Sequence, residues 1–367
     1  GAHRDLHFTT HSSPTRRSSD LSDLHRMYAQ TFFEEGNPDK ALDRVIDALR
    51  WDPDNVHALT LAGNIFLQAR EDPETAKDYY DRAAEIAPEN HLVLNNLGGM
   101  MLKVGHREEG KRYLQQALEA KEDYPNTHYG LALAYKQEDR YLEAFEYAVR
   151  GIKCSDGQME ARLEQMADEI AEEYEESEDL NPLVERYVSE LEERGGKPIK
   201  LTEQEGSDNP ASLQLAANYE RNEHRVVYDP SKEHRTHLVM HELAHLDFIL
   251  QARTDSWNEL FLTGDEHRQA FIDDHRSKIE NMKNLGLEGP QLQGMIDQLY
   301  NGLNNQVYNA PIDLFIERHL YDEFPELRPV QYASLKELLG TYIEGATNEM
   351  KDIAPQKVWA SNVALNL

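Results

Sequence analysis

Apolar residues at helical spacing predict a chain built largely of helices. The clearest stripe has the i, i+4, i+7, i+11 rhythm of a helix with one buried face and consists of Val239, Leu243, Leu246 and Leu250. Two more such stripes comprise Met159, Leu163, Met166, Ile170 and Tyr174, and then Leu183, Tyr187 and Leu191. Residues 198–202 and 225–228 are predicted strands, with a helix at 211–220 between them and a helical stretch at 265–305 further on.

The helix with the clearest stripe carries a metal-binding pattern. His241 and His245 are four residues apart, so their imidazoles lie one turn apart on one face and can bind one Zn²⁺ ion. Glu242 then lies beside the metal, where its carboxylate can take a proton from a zinc-bound water and pass it to a leaving amine. The alternative is an amphipathic helix with solvated histidines, in which His234 and His237 are further members of a His-rich face.

Residues 22–155 repeat themselves at a nearly constant interval. One set of recurrences is 35 residues apart and pairs Ala41, Ala48, Pro53 and Gly63 with Ala76, Ala83, Pro88 and Gly98. The next is 34 residues apart and pairs Gly98, Gly110, Leu114 and Ala117 with Ala132, Ala144, Ala148 and Gly151. Small residues at fixed intervals allow paired helices to approach closely.

This spacing resembles the tetratricopeptide repeat, a helix-turn-helix unit of about 34 residues, and we count four repeats. The third departs from the family pattern with Gly110 where Ala is usual and no terminal proline, and the fourth has Gly151 in place of a late Ala. The resemblance implies a helical solenoid whose concave face binds a protein or peptide partner. Such repeats carry no chemistry of their own.

Residues 156–194 are strongly acidic, with fifteen Asp or Glu against three Arg. Their helical spacing predicts an acidic cap or linker on the solenoid, with a dedicated cation-binding tract as the alternative. Gly195, Gly196 and Pro198 then mark the predicted boundary of a last domain, residues 195–367.

A catalytic zinc needs a third protein ligand. The metzincin pattern would place Gly and His where this chain has Phe248 and Gln251, so that family is excluded. The motif resembles the gluzincin arrangement, in which a carboxylate on a later helix is the third ligand and the strand beside the cleft often holds an extended substrate. Asp313 and Glu317 share a face of such a helix, and Glu317 lies 72 residues after His245.

Gluzincins usually place the ligand Glu first and an acid that holds a ligand histidine four residues later, whereas this chain has Asp and then Glu. Glu317 has the longer reach and is our preferred ligand, while Asp313 is either the partner of a histidine or the true ligand with Glu317 supporting it. The alternative is a surface helix with two solvated acids. Weaker ligand candidates are Asp247, Asp265 and His267, and candidate transition-state donors are Tyr308, His319 and Tyr321.

Composition narrows the function classes. The formal net charge of −30 argues against nucleic-acid binding, and no apolar run approaches membrane-spanning length. Cys154 is the only cysteine, so thiolate zinc sites and internal disulfides are excluded. Residues 1–21 resemble a translated sequencing-adapter fragment, so we expect the natural N-terminus to be missing and take a cytoplasmic location only as a default.

The sequence therefore predicts a mostly α fold, with a tetratricopeptide-repeat solenoid followed by an α+β zincin-like domain. The resemblances imply a zinc-dependent peptidase whose repeats recruit a protein or peptide partner. The alternative is a non-enzymatic interaction scaffold, in which the second domain is inactive or its zinc is structural.

Overall fold

The computed structural model describes residues 14–206, 209–254, 264–284, 286, 288–308 and 310–345. This part of the chain is mostly α-helical and contains a three-stranded mixed sheet. The chain divides into two compact units, Gly1–Ile170 and Ala171–Leu367. Within the described residues, no helix combines the length and the apolar character needed to cross a membrane.

Within residues 14–153, which the structure describes throughout, eight helices pair into four consecutive hairpins. They are α1 (Pro14–Glu34), α2 (Pro38–Trp51), α3 (Val56–Ala69), α4 (Pro73–Ile86), α5 (His91–Lys103), α6 (Arg107–Ala120), α7 (Pro125–Lys136) and α8 (Tyr141–Lys153). Asn55 and Asn90 cap α3 and α5, because their side chains accept hydrogen bonds from first-turn N–H groups. Pro53 and Pro88 lie two residues beyond the ends of α2 and α4, as the repeat pattern predicted.

Glycines sit where paired helices approach most closely. A Cβ added at Gly98 would lie 2.7 Å from Cγ of Leu114 and 3.0 Å from the carbonyl oxygen of Gly110. A Cβ added at Gly63 would lie 2.5 Å from the ring of Tyr80. The small residues of the repeats therefore lie at helix-to-helix contacts, which explains their regular spacing.

The domain limits predicted from the sequence can be compared with the ends of the helices and of the two compact units. Helix α1 includes residues 14–21 of the predicted leader, while residues 1–13 lie outside the described part. The acidic segment 156–194 forms two helices, α9 (Gly157–Ser177) and α10 (Asn181–Gly195). Gly196 ends α10 in the left-handed conformation at φ 64°, where the sequence placed its boundary, whereas the two compact units divide within α9.

The sheet of the second unit consists of β1 (Ile199–Glu203), β2 (Ala211–Gln214) and β3 (His224–Tyr228). Its order is β1-β3-β2, with β1 parallel and β2 antiparallel to the central strand. Both predicted strands are confirmed as β1 and β3. The predicted helix at 211–220 is wrong, because pairing with β3 satisfies the backbone of β2 and only a 3-10 turn, Ala216–Tyr219, follows.

After α10 and the sheet, the described residues of the second unit form α11 (Arg235–Thr254), α12 (Asp265–Asp274), α13 (Arg276–Asn284), α14 (Gly289–Tyr308), α15 (Ala310–Glu323) and α16 (Arg328–Gly345). Helices α12 to α14 account for the helical stretch predicted at 265–305. The predicted stripe of α11 is buried at Val239, Leu243 and Leu246, where it packs with Ile316 and Leu320 of α15. This shared core holds α11 and α15 side by side and so positions the polar residues beside it.

Candidate metal centre

A tight turn leads from β3 into α11. The carboxylate of Asp229 accepts hydrogen bonds from the backbone N–H and the hydroxyl of Ser231, at 3.0 and 2.6 Å, and from the backbone N–H of Gly206 at 3.0 Å. These bonds lower the pKa of Asp229, so the turn is held by an ionised carboxylate. The turn therefore fixes where α11 begins relative to the sheet.

His241, His245 and Asp313 converge on one point between α11 and α15. The two imidazole rings lie 4.9 Å apart between centroids. Oδ1 of Asp313 lies 3.6 Å from Nε2 of His241 and 3.3 Å from Nε2 of His245. Ligands of a tetrahedral zinc with bonds of about 2.0–2.1 Å lie roughly 3.3 Å from one another, so Oδ1 of Asp313 lies close to that spacing from each of the two histidine nitrogens.

Oδ1 of Asp313 also has the environment expected of a ligand atom. It is buried, and neither histidine contact has hydrogen-bond geometry, so this oxygen has no hydrogen-bond partner among the described residues. Buried carboxylate oxygens are normally satisfied. Two neutral imidazoles and one carboxylate are the ligand types that zinc takes in hydrolase sites, so the residues present fit this ion.

Glu317 contacts the other nitrogen of His241. Its Oε1 lies 2.7 Å from Nδ1 of His241, and its Oε2 lies 2.9 Å from Nε2 of His237. The amide of Gln331 donates a further hydrogen bond to Oε2 at 2.6 Å. Glu317 thus lies behind His241, on the side away from Asp313.

Charge is strongly coupled across this cluster. Burial lowers the pKa of His241, but the carboxylates of Asp313 and Glu317 outweigh it and raise that pKa to about 10. Burial raises the pKa of Asp313, while His241 and His245 bring it down to about 2. The pKa of Glu317 is likewise held below its usual range by His237 and His241, against the effect of burial. At neutral pH both acids are therefore ionised and His241 carries an extra proton, which a bound metal ion would have to displace.

Glu242 points toward the sheet. Its Oε2 accepts a hydrogen bond from the backbone N–H of Leu213 in β2 at 2.6 Å. At the end of the antiparallel ladder the N–H of Asp229 donates to the carbonyl of Pro210. In such a ladder the backbone groups of every second residue bond to the partner strand, so those of Pro210, Ser212 and Gln214 point toward β3. The N–H of Leu213 therefore points away from β3, to the open edge of the sheet. The carboxylate beside the histidines is therefore oriented by the outer edge of β2. Sequence reasoning missed Leu213, because its segment was assigned to a helix.

Asp247 has a structural role instead of a ligand position. Its buried carboxylate accepts hydrogen bonds from the hydroxyl of Tyr187 at 2.9 Å and from the guanidinium of Arg194 at 2.7 Å. It therefore ties α10 to α11. His319 lies nearby, with Nε2 3.7 Å from Oδ2 of Asp247 and its ring edge-on to Phe248.

The remaining sequence candidates lie apart from the convergent atoms. Asp265 and His267 are exposed at the start of α12, where Nδ1 of His267 accepts from the N–H of Gly264. Tyr321 stacks against the guanidinium of Arg328 on the surface of α15. The side chain of Tyr308 lies outside the described part of the structure.

Comparison with known proteins identifies the class of the first unit. Residues 27–91 match the family model described as the tetratricopeptide repeat. With the four hairpins, this match confirms that the chain carries a tetratricopeptide-repeat array, a kind of module that binds proteins or peptides.

Among curated proteins, the chain is similar to anaphase-promoting complex subunit CDC16 of Saccharomyces cerevisiae. The two are 30% identical over 130 residues, which cover 35% of this chain and 15% of that protein. The chain thus spans only a small part of the relative that it matches.

Two solved structures are also similar to part of the chain. MamA from Desulfovibrio magneticus RS-1 is 17% identical with a TM-score of 0.37, covering 48% of this chain and 97% of that one. A thermophilic TPR protein of Thermus thermophilus is 16% identical with a TM-score of 0.37, covering 47% and 90%.

Proposed function

We propose that the second unit is a zincin-like, zinc-dependent peptidase, and that the repeat array recruits the protein or peptide on which it acts. The observation that carries this proposal is the convergence of His241, His245 and Asp313 beside Glu242. A surface helix with solvated residues does not account for three ligand-type atoms within 4.8 Å of one another, one of which is buried and makes ion-pair contacts but no hydrogen bond.

The distances favour Asp313 as third ligand and Glu317 as the partner of His241. Asp313 approaches Nε2 of both motif histidines, whereas Glu317 contacts Nδ1 of His241. An imidazole that ligates through Nε2 is usually oriented by a carboxylate at Nδ1. This assignment is the alternative to our sequence-based preference for Glu317.

His241, His245 and Asp313 would hold the zinc ion, which would supply Lewis acidity to a water molecule and to the substrate carbonyl. Glu242 takes the proton from the attacking water and delivers it to the leaving amine. The Leu213 N–H holds one carboxylate oxygen and leaves the other to receive that proton. The outward-facing edge of β2 can pair with an extended peptide, which would place a scissile bond alongside Glu242.

The test separates chemistry from metal binding by exchanging Glu242 for Gln in the full chain. The amide keeps the size of the side chain but loses its basicity, so cleavage of a fluorogenic peptide library should fall roughly 10²- to 10⁴-fold. We expect one zinc ion per chain by elemental analysis in both proteins. The matched control is Glu323→Gln, an exposed position on α15 that should change neither quantity.

Two outcomes count against the peptidase. Wild-type protein that folds well and takes up no zinc would refute it, as would a Glu242→Gln variant that cleaves as fast as wild type. In the second case, a scaffold with a non-catalytic zinc site becomes the better account.

A further inference from the structure

A buried chain of polar side chains runs behind the candidate ligands, through His237. Nδ1 of His237 lies 2.8 Å from the hydroxyl of Ser334, and its Nε2 lies 2.9 Å from Oε2 of Glu317. Oε1 of Glu317 then lies 2.7 Å from Nδ1 of His241. His237 is only 3% exposed and Ser334 only 8%, so little water competes for these groups. The peptidase chemistry proposed above does not use His237.

The proton positions along this chain follow from the donors and acceptors present. An ionised carboxylate accepts and never donates, so both imidazole nitrogens that contact Glu317 must carry hydrogen. A neutral His237 with its hydrogen on Nε2 has a bare Nδ1, which can only accept. Both His237 and His241 therefore donate to Glu317, through Nε2 and Nδ1 respectively, and with His237 in its neutral form the hydroxyl of Ser334 donates to Nδ1 of His237.

This direction has a consequence at the metal end. When His241 is neutral and its hydrogen is on Nδ1, its lone pair is on Nε2, the nitrogen that faces Asp313 and His245. Glu317 can enforce that tautomer only if its own position is fixed. Gln331 also holds its Oε2, by a hydrogen bond of 2.6 Å.

We propose that His237 is a positioning residue, which fixes Glu317 and through it presents Nε2 of His241 to the metal. The inference rests on the proposed zinc site and extends it by one turn of α11. The hydrogen-bonded route from His237 to His241 runs through Glu317, and the two imidazole rings also lie edge-on to each other with their centroids 6.2 Å apart.

A different reading places a second metal ion among His237, His241 and Glu317, whose ligand-type atoms also lie within 4.8 Å of one another. That ion would need lone pairs on Nε2 of His237, Nδ1 of His241 and the Glu317 carboxylate. These atoms now form the two hydrogen bonds of 2.9 and 2.7 Å. His241 would have to bridge two metals as an imidazolate. The two readings predict different metal counts.

The experiment measures the zinc dissociation constant of the metal-stripped full chain by competition with a chromophoric chelator. His237→Leu removes both hydrogen bonds, and we expect the constant to rise roughly 10- to 100-fold, the usual effect of losing an outer-shell partner. His237→Gln keeps an N–H group that can reach Glu317 and should recover most of the affinity. Ser334→Ala leaves the ring in place and should cost less than His237→Leu.

The matched control is His224→Leu, which removes another buried histidine of the same unit, whose Nδ1 accepts from the N–H of Ala216 at 3.3 Å. It should lower the melting temperature without changing zinc affinity. Nitrogen-15 NMR of the histidine rings in metal-free protein gives a second readout, since Nδ1 and Nε2 of a neutral ring have distinct shifts. Wild type should show His237 with hydrogen on Nε2.

Three results would overturn the inference while leaving the zinc site intact. They are unchanged zinc affinity in His237→Leu, an equal loss in the His224→Leu control, and two zinc ions in wild type with one lost in His237→Leu. His237 with hydrogen on Nδ1 would also contradict it. A wild type that takes up no zinc would instead refute the proposed function, and this inference with it.

Discussion

Replacing Asp313 by Asn should weaken zinc binding far more than replacing Glu317 by Gln. Oδ1 of Asp313 lies 3.3 and 3.6 Å from the Nε2 atoms of the two motif histidines, while Glu317 reaches only the Nδ1 side of His241. Both substitutions keep shape and remove one negative charge. The comparison therefore isolates the role of each carboxylate.

The expected rise in the zinc dissociation constant differs between Asp313, a proposed ligand, and Glu317, the partner of a ligand. A site that binds zinc with roughly 10–16 kcal/mol shared among four ligands loses about 3 kcal/mol when one ligand goes, or roughly 10²-fold in the dissociation constant. An outer-shell partner is worth about 10- to 100-fold. Because the amide oxygen of Gln can still accept from Nδ1 of His241, we expect Glu317→Gln near the lower end, at about tenfold.

The assay is chelator competition at pH 7.5 on the metal-stripped full chain, with Glu323→Gln as control. Thermal melts of the metal-free proteins run alongside, because Glu317→Gln disturbs the bonds from His237 and Gln331 and should cost about 1–3 kcal/mol of folding free energy. A greater loss of zinc in Glu317→Gln than in Asp313→Asn, in protein that remains folded, would reverse the assigned roles. Equal and negligible losses would place the ion elsewhere.

Two further predictions concern packing and pH. Gly98→Ala should destabilise the full chain by about 1–3 kcal/mol in urea unfolding, because the added methyl group meets backbone as well as side chain, whereas Gly99→Ala, with open space around its Cβ, should stabilise it by up to about 1 kcal/mol; equal effects would contradict the packing. The hydrogen bond with Glu175 raises the pKa of His234 in the folded protein. The ion pair therefore stabilises the fold fully at pH values below the pKa of histidine in the unfolded chain, and this stabilisation is lost as the pH rises through the raised pKa. The other acids facing this ring are Glu233 and Glu337. The stability of wild type minus that of His234→Gln should therefore shrink between pH 5.5 and 9 by at most about 1 kcal/mol in calorimetry, and a difference that grows with pH would refute this.

The parts of the fold that depend on local pattern could be predicted from the sequence. The repeat period gave the hairpins because each one buries the same small residues against its neighbour, as at Gly98. The stripe of α11 gave its buried face, and spacing alone put His241 and His245 on one side of it.

Features set by distant contacts could not be read in the same way. Residues 211–220 include three Ala and two Leu, which favour a helix, and their strand depends on hydrogen bonds that β3 supplies. Asp247 was a weaker ligand candidate in the sequence. Its true partners, Tyr187 and Arg194, precede it by more than fifty residues and so could not be recognised. In both cases the deciding contact leaves no trace in the local sequence.

The order of Asp313 and Glu317 becomes intelligible once α11 and α15 lie side by side. Asp313 faces His241 and His245, while Glu317, one turn later, faces His237 and His241. A later residue on one helix meets an earlier one on the other, so the helices run antiparallel with matching four-residue steps. Each carboxylate then lies between two successive histidines.

That matching spacing also accounts for His237. Three histidines at four-residue intervals on α11 leave two gaps, one between His237 and His241 and one between His241 and His245. One acid of α15 faces each gap, Glu317 the first and Asp313 the second. The gap at His241 and His245 faces an oxygen of Asp313 that is buried and makes ion-pair contacts but no hydrogen bond, so this is the gap that we propose for the zinc ion. The gap at His237 is already filled by hydrogen bonds to Glu317, so under the proposed function the same repeat of charges would give one zinc position and one support for it.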